Sequence, residues 1–159
     1  MPAAVTEKHF VALELLERAI ELFLRGDSYY AAIHLGGGAE ELLAVYAREI
    51  ETSSTTTLVP AFDQMKESFL KLMKPSTRDE AKALEKWIHD RMSDAKNSVK
   101  HMRGRNDKTV GFDPKEEAYD VIDRAITTYF QLFSILNLRP IRSIEQFDAK
   151  RREESRSEA

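Results

Sequence analysis

The residues of this sequence that could do chemistry lie between positions 96 and 108, where a histidine stands among cations. Five cations against one acid, Asp107, give this basic segment a local charge of +4 in a chain whose net charge is −3; they are Lys96, Lys100, Arg103, Arg105 and Lys108. Cations attract phosphate groups, and a histidine titrates near neutral pH, so His101 could move a proton beside a bound phosphate. The segment therefore suits RNA or nucleotide chemistry. The alternative is a helix C-terminus whose cations favour the negative end of the helix dipole.

The elements that must position this segment all read as helices. Apolar residues recur at helical spacing over 7–25, 29–50 and 60–73, then from 77 through the basic segment, and finally from 113 to just before Pro140. Gly26 suits a helix end, Thr77 and Glu80 have capping-box spacing, and Asp113 suits an N-cap. These patterns predict an all-α, up-and-down bundle of four main helices plus one short helix. We expect one domain over residues 1–144 and a charged, solvated tail over 145–159.

Two stretches of the sequence resemble the HEPN superfamily. They are residues 29–35, Tyr-Tyr-Ala-Ala-Ile-His-Leu, and residues 96–101, Lys-Asn-Ser-Val-Lys-His. HEPN proteins are small helical bundles of prokaryotic defence and toxin systems; they commonly form dimers, and many are metal-independent ribonucleases. Their signature is an arginine, often followed by a polar residue, with a histidine four to six residues further on. The resemblance implies an HEPN-like fold, a homodimer and an antitoxin-type protein partner.

Carried onto this chain, the signature makes Asn97 the polar residue and His101 the histidine, with Lys96 where the arginine is expected. A lysine is a flexible point charge and orients a phosphate less well than the planar guanidinium of arginine. The resemblance then implies that His101 exchanges protons with a ribose 2′-hydroxyl or the leaving 5′-oxygen, with Lys96 stabilising the charge on the phosphate. Cleavage would leave a 2′,3′-cyclic phosphate. Further binding residues are expected close by, at Lys100, Arg103 and Arg105.

Helical geometry sets a condition on this site. In a continuous helix Asn97 and His101 share a face, whereas Lys96 points about 140° away from His101. An active site of this kind therefore predicts an irregular helix end near Val99 or a partner subunit that completes it.

A second group of candidate binding residues lies on the predicted second helix. His34 and Glu41 are seven residues apart with Gly37 and Gly38 between them, so they could face a cleft near His101. Alternatively, His34 is a hydrogen-bonded interior or interface histidine, and the glycines of positions 36–38 allow two helices to cross closely.

The sequence gives no reason to expect a metal or another cofactor. It has no cysteine and no Glu-x-x-His motif, and we expect Glu40 and Glu41 to be ordinary surface charges. The start of the chain does not read as a secretory signal, and no apolar run is long enough to span a bilayer, so we expect a cytoplasmic protein without membrane contact.

Two functions follow as hypotheses. The first is a metal-independent endoribonuclease or RNA-binding protein of the toxin type. The second is a non-catalytic homodimeric helical module that binds a protein partner or a nucleotide.

Overall fold

The chain folds into helices joined by turns and loops. The computed structural model describes residues 4–50 and 58–157, and these hold six α-helices and no strand. The helices are α1 Lys8–Arg25, α2 Tyr29–Glu49, α3 Ala61–Met73, α4 Arg78–Ser98, α5 Pro114–Leu132 and α6 Ser143–Ser157. The all-α prediction is confirmed, and the described residues hold one helix more than the four main and one short helix expected. None of these helices combines the length and the apolar character needed to cross a membrane.

The predicted helix ends are confirmed where local signals define them. Gly26 has a φ of 77°, and its N–H donates to the carbonyls of Leu22 and Phe23, which ends α1. Thr77 and Glu80 form a capping box at the start of α4. Asp113 accepts from the N–H groups of Lys115 and Glu116, with Pro114 in the first position of α5.

The core lies between α1, α2 and α5, and α2 packs most extensively against the other two. Small residues on α2 let α5 approach closely. A Cβ atom on Gly36 would come within 3.2 Å of the side chains of Val121 and Ile122. Side chains that are fully buried at this junction include Leu13, Leu16, Ile20, Ile33, Leu43, Val121 and Ile122. α3 and α4 contact each other, and α4 reaches the core through α2.

The predicted boundary between residues 144 and 145 falls inside α6. This helix packs on α1: Ile144 and Phe147 are buried, and the ring of Phe147 stacks on that of Tyr119 with centroids 5.1 Å apart. Lys150 Nζ lies 3.3 Å from the carbonyl of Leu24 at the C-terminal end of α1, where a cation is favoured. One face of this charged segment is therefore part of the packed structure.

Candidate functional site

α4 ends near the start of the basic segment. Its last helical residue is Ser98, and the N–H of His101 still donates to the carbonyl of Asn97 at 2.9 Å. Beyond this turn the chain runs as a loop to Asp113, which caps α5. His101 is exposed at the start of this loop. The segment thus leaves the helix between the first and last residues of the predicted signature.

Lys96 points into the protein. It is 7% exposed, and its Nζ lies 3.2 Å from Glu40 Oε2 and 3.3 Å from Glu41 Oε1. The Nζ also lies 5.1 Å from the centre of the Phe62 ring, a distance at which a cation is attracted to an aromatic face. The ammonium group of Lys96 is therefore held by α2 and by the first turn of α3.

Glu40 is the centre of a buried charged cluster. It is 2% exposed, and its second oxygen accepts from Nε of Arg124 on α5 at 2.6 Å. Arg124 is 5% exposed, and its buried Nη2 has no hydrogen-bond partner among the described residues. Two cations against one carboxylate leave this cluster with a charge of +1. The expectation that Glu40 is a surface charge was wrong, because this position lies on the face of α2 that packs against α4 and α5.

The cluster continues to the loop through Glu41. The same Oε1 of Glu41 that approaches Lys96 lies 3.6 Å from Nζ of Lys100. Arg124, Glu40, Lys96, Glu41 and Lys100 thus form a row of alternating charges, here called the charge row, which runs from α5 to the residue before His101. Of the two carboxylates in the charge row, that of Glu41 is the more exposed, with 52% of the side chain accessible.

Gly37 makes room for the aliphatic part of Lys96. A Cβ atom at Gly37 would stand 3.1 Å from Lys96 Cβ and 3.3 Å from its Cδ. Because the ammonium end is fixed by Glu40, the stem of the lysine has little freedom to move aside. The second glycine of the α2 cluster is therefore tied to the burial of Lys96.

The structure places the predicted signature residues on two different clefts. Lys96 and Asn97 line an inner cleft of about 320 Å³, together with Glu40, Glu41, Arg48, Phe62, His89 and Ser93. His101 lines a loop cleft of about 410 Å³, formed by Ser98, Val99, Lys100, Met102, Asp107, Lys108, Thr109 and Val110. The charge row connects the two clefts, because Glu41 lines the inner cleft and contacts Lys100, which lines the loop cleft. Within one chain, His101 is accompanied by Lys100 and Lys108 and not by Lys96.

The loop exposes the remaining cations of the basic segment. Asp107 Oδ2 accepts from the N–H of Arg103 at 2.6 Å, and Gly104 has a φ of 115°, which suits glycine. This turn leaves the side chains of Arg103, Arg105 and Lys108 exposed, and none of them forms an ion pair with a residue that the structure describes. These three side chains are the cations of the basic segment that are most accessible to an anionic ligand.

The other predicted pair is not brought together at one site. His34 is exposed on α2 and lines neither cleft, whereas Glu41 lines the inner cleft and contacts the two lysines. The role of His34 in a binding site stays a prediction.

The buried positions of Glu40 and Arg124 were not predicted from the sequence. Both stand on the apolar stripes of their helices: Glu40 follows Ile33 and Gly36 and precedes Leu43, and Arg124 stands between Val121 and Thr128. A charge on an apolar stripe signals a buried ion pair, because a lone charge would not be buried there. That signal was available for each residue, although their pairing was not.

Over residues 4–50 and 58–157 there is no group of three or more histidine, aspartate and glutamate residues suited to holding a metal ion. The arrangement at the loop cleft suits electrostatic binding of phosphate groups, with an imidazole beside them.

Comparisons of this chain with models of protein families, with curated proteins and with solved structures gave no significant match.

Proposed function

We propose that this protein binds RNA through the loop cleft and the exposed cations beside it, as an HEPN-like helical protein of the defence or toxin type. In this proposal α1, α2, α4 and α5 are the four main helices and α3 is the short one. The observation that carries the proposal is the exposure of Arg103, Arg105 and Lys108, without ion-pair partners among the described residues, next to His101. In a protein of net charge −3, these three cations stand within six residues of one another and form a local positive surface.

RNA is favoured over a small nucleotide because the loop cations are spread over a surface rather than gathered in a closed pocket. Arg103 and Arg105 stand on either side of Gly104, and Lys108 lies across the turn that Asp107 closes. A chain of phosphates can contact several such cations in succession. A single phosphate group would meet one or two of them.

The test is the salt dependence of binding to a short single-stranded RNA, followed by fluorescence anisotropy. Each neutralised phosphate of a single strand contributes about −0.7 to the slope of log K against log salt. We expect Arg103→Gln with Arg105→Gln to weaken binding and to reduce the slope by about 1.4. The matched control is Arg152→Gln with Arg156→Gln, which removes two exposed arginines from α6. Equal effects of the two pairs, or no salt-dependent binding, would contradict the proposal.

His101 gives the proposal a catalytic form that can be tested separately. The imidazole is exposed in the loop cleft, and Lys100 and Lys108 line the same cleft and could stabilise charge on a phosphate there. In a metal-independent reaction the 2′-oxygen of the ribose attacks the adjacent phosphorus and the bond to the 5′-oxygen breaks. His101 would take the proton of the 2′-hydroxyl or give one to the leaving oxygen, and water would make the other of these two proton transfers.

The catalytic form predicts cleavage of a mixed RNA pool in the presence of a chelator, with 2′,3′-cyclic phosphate ends. His101→Ala should abolish this cleavage and leave the salt-dependent binding in place. RNA binding by both proteins without cleavage would restrict the function to binding.

A second candidate function is that of a non-catalytic homodimeric module that binds a protein partner. It is favoured by an apolar stripe on α3 that the described fold leaves uncovered, formed by Met65, Phe69, Leu72 and Met73. It is also favoured by the position of Lys96, which the charge row holds away from His101. Sedimentation of the protein alone, compared with Phe69→Ser and Leu72→Ser together, tests it: a dimer that dissociates in the variant supports this function, and a wild-type monomer contradicts the homodimer.

A further inference from the structure

The contact between Glu41 and Lys100 has a consequence for the proposed RNA site. Lys100 lines the loop cleft beside His101, but its ammonium already has an anion, the half-exposed carboxylate of Glu41 at 3.6 Å. A phosphate group that enters the loop cleft and contacts Lys100 must compete with that carboxylate. An ion pair with an exposed carboxylate adds little stabilising free energy in water, so the carboxylate of Glu41 can be displaced.

We propose that Glu41 is an internal competitor of the RNA phosphate: it occupies Lys100 in the free protein and is displaced when RNA binds. This inference rests on the proposed function and adds a device that limits the affinity of the site.

The geometry around Glu41 supports displacement by an anion. Its Oε1 is approached by two ammonium groups, Lys96 at 3.3 Å and Lys100 at 3.6 Å, so the position it occupies is one where negative charge is stabilised. Lys96 keeps Glu40 as a second carboxylate partner after Glu41 leaves, whereas the described structure gives Lys100 no other carboxylate. The oxygen of a phosphate would restore that missing contact. Glu41 would turn outward into water, to which about half of its side chain is already exposed.

Glu41 differs from its buried neighbour Glu40 in that its carboxylate can exchange partners. Glu40 holds Arg124 and Lys96 inside the protein and is 2% exposed, so it cannot exchange with a ligand without unfolding the cluster. Glu41, the next residue, carries the same charge on the exposed side of the helix. The two neighbouring glutamates thus have different tasks, one structural and one regulatory.

The test is a double-mutant cycle on RNA binding at low salt, by fluorescence anisotropy with a single-stranded RNA. Glu41→Gln should tighten binding by about two- to fivefold, the range of an exposed charge contact. Lys100→Met should weaken binding, and in its background Glu41→Gln should have no effect, because the contested cation is gone. The matched control is Glu49→Gln, an exposed glutamate on the same helix about 12 Å further along its axis, which should leave affinity unchanged.

The possible results separate the inference from the proposed function. No RNA binding by any of the proteins would overturn both. RNA binding by the wild type that Glu41→Gln leaves unchanged or weakens would overturn the inference alone. A gain that persists in the Lys100→Met background, or that Glu49→Gln reproduces, would show a general field effect and would also overturn it. Thermal melting of each variant verifies that it is folded.

Discussion

At the scale of single residues, the arrangement of α2, α4 and α5 depends most on Glu40, whose carboxylate is buried. It contacts Arg124 at 2.6 Å and Lys96 at 3.2 Å, and all three side chains are more than nine-tenths buried. Taking charges out of water is costly, and their mutual attraction offsets that cost only while each has its partner. The cluster therefore selects one arrangement of three helices rather than adding much net stability.

Replacing Glu40 by glutamine tests this role. Glu40→Gln leaves the two buried cations without the carboxylate that pairs with both of them, so we expect the free energy of unfolding to fall by about 3 kcal/mol. Urea denaturation measures it. Glu21→Gln breaks an exposed pair with Arg18 and should cost less than about 1 kcal/mol. Losses of equal size in the two variants would show that burial of the cluster is unimportant.

The sequence shows the concentration of cations over residues 96–108, but it does not define the direction of the Lys96 side chain. Lys96 stands between the apolar Ala95 and the polar Asn97, and the helical periodicity alone did not define the direction of its side chain. What fixes it is Glu40, 56 residues earlier in the chain, and Glu40 is itself fixed by Arg124, 84 residues later. Pairs so far apart form only through tertiary packing, and the local sequence does not specify them.

At the scale of elements, helix ends could be predicted because their signals are local. Gly26, the Thr77 capping box and the Asp113 cap each act within a few residues and lie where the patterns indicated. α6 was harder to predict, because its charged residues hide a short apolar pair. Ile144 and Phe147 are three residues apart and share one helix face, and α1 and α5 supply the surface that buries them.

The packing of α6 predicts a large effect of its one buried aromatic residue. Phe147 is fully buried against Phe23 and Tyr119, so Phe147→Ala should lower the free energy of unfolding by about 3–5 kcal/mol. Phe130→Ala is the control, since that ring is 58% exposed and its removal should cost less than about 1 kcal/mol. Urea denaturation compares them. A small effect at Phe147 would mean that α6 does not stabilise the bundle.

The acidic face of α5 predicts a pH dependence of stability. Burial raises the pKa of Glu117 above its usual value of 4.5, and the nearby carboxylate of Asp120 raises it further. The folded protein therefore holds this proton at pH values where the unfolded chain has released it. Its contribution to stability is present below the unfolded pKa and is lost as pH rises through the folded pKa.

Replacing Glu117 by glutamine removes this loss of stability at higher pH. Glu117→Gln should raise the free energy of unfolding at pH 7, by less than about 1 kcal/mol because the side chain is partly exposed to water. At about pH 3 the carboxyl group is protonated in both states, and the gain should disappear. Urea denaturation at the two pH values measures the difference. A gain of equal size at both would assign the effect to packing instead of charge.

At the scale of the whole molecule, charge is distributed unevenly. The net charge is −3, yet the turn after α4 presents three exposed cations within six residues, Arg103, Arg105 and Lys108, and none of them forms an ion pair with a described residue. A positive surface on an acidic protein steers an anionic polymer to one place and repels it elsewhere. For the proposed RNA site, this local excess of positive charge would favour the loop after α4 over the acidic parts of the surface.

The most direct test of the proposed RNA site is a two-dimensional ¹H–¹⁵N NMR titration of the wild-type protein with a short single-stranded RNA, repeated at high salt. We expect the amide shifts to concentrate in residues 99–108, together with Glu41, and to shrink as salt rises because the contacts are made to phosphates. Shifts confined to the exposed face of α3, or no shifts at RNA concentrations well above that of the protein, would contradict the assignment of the loop after α4 as an RNA site.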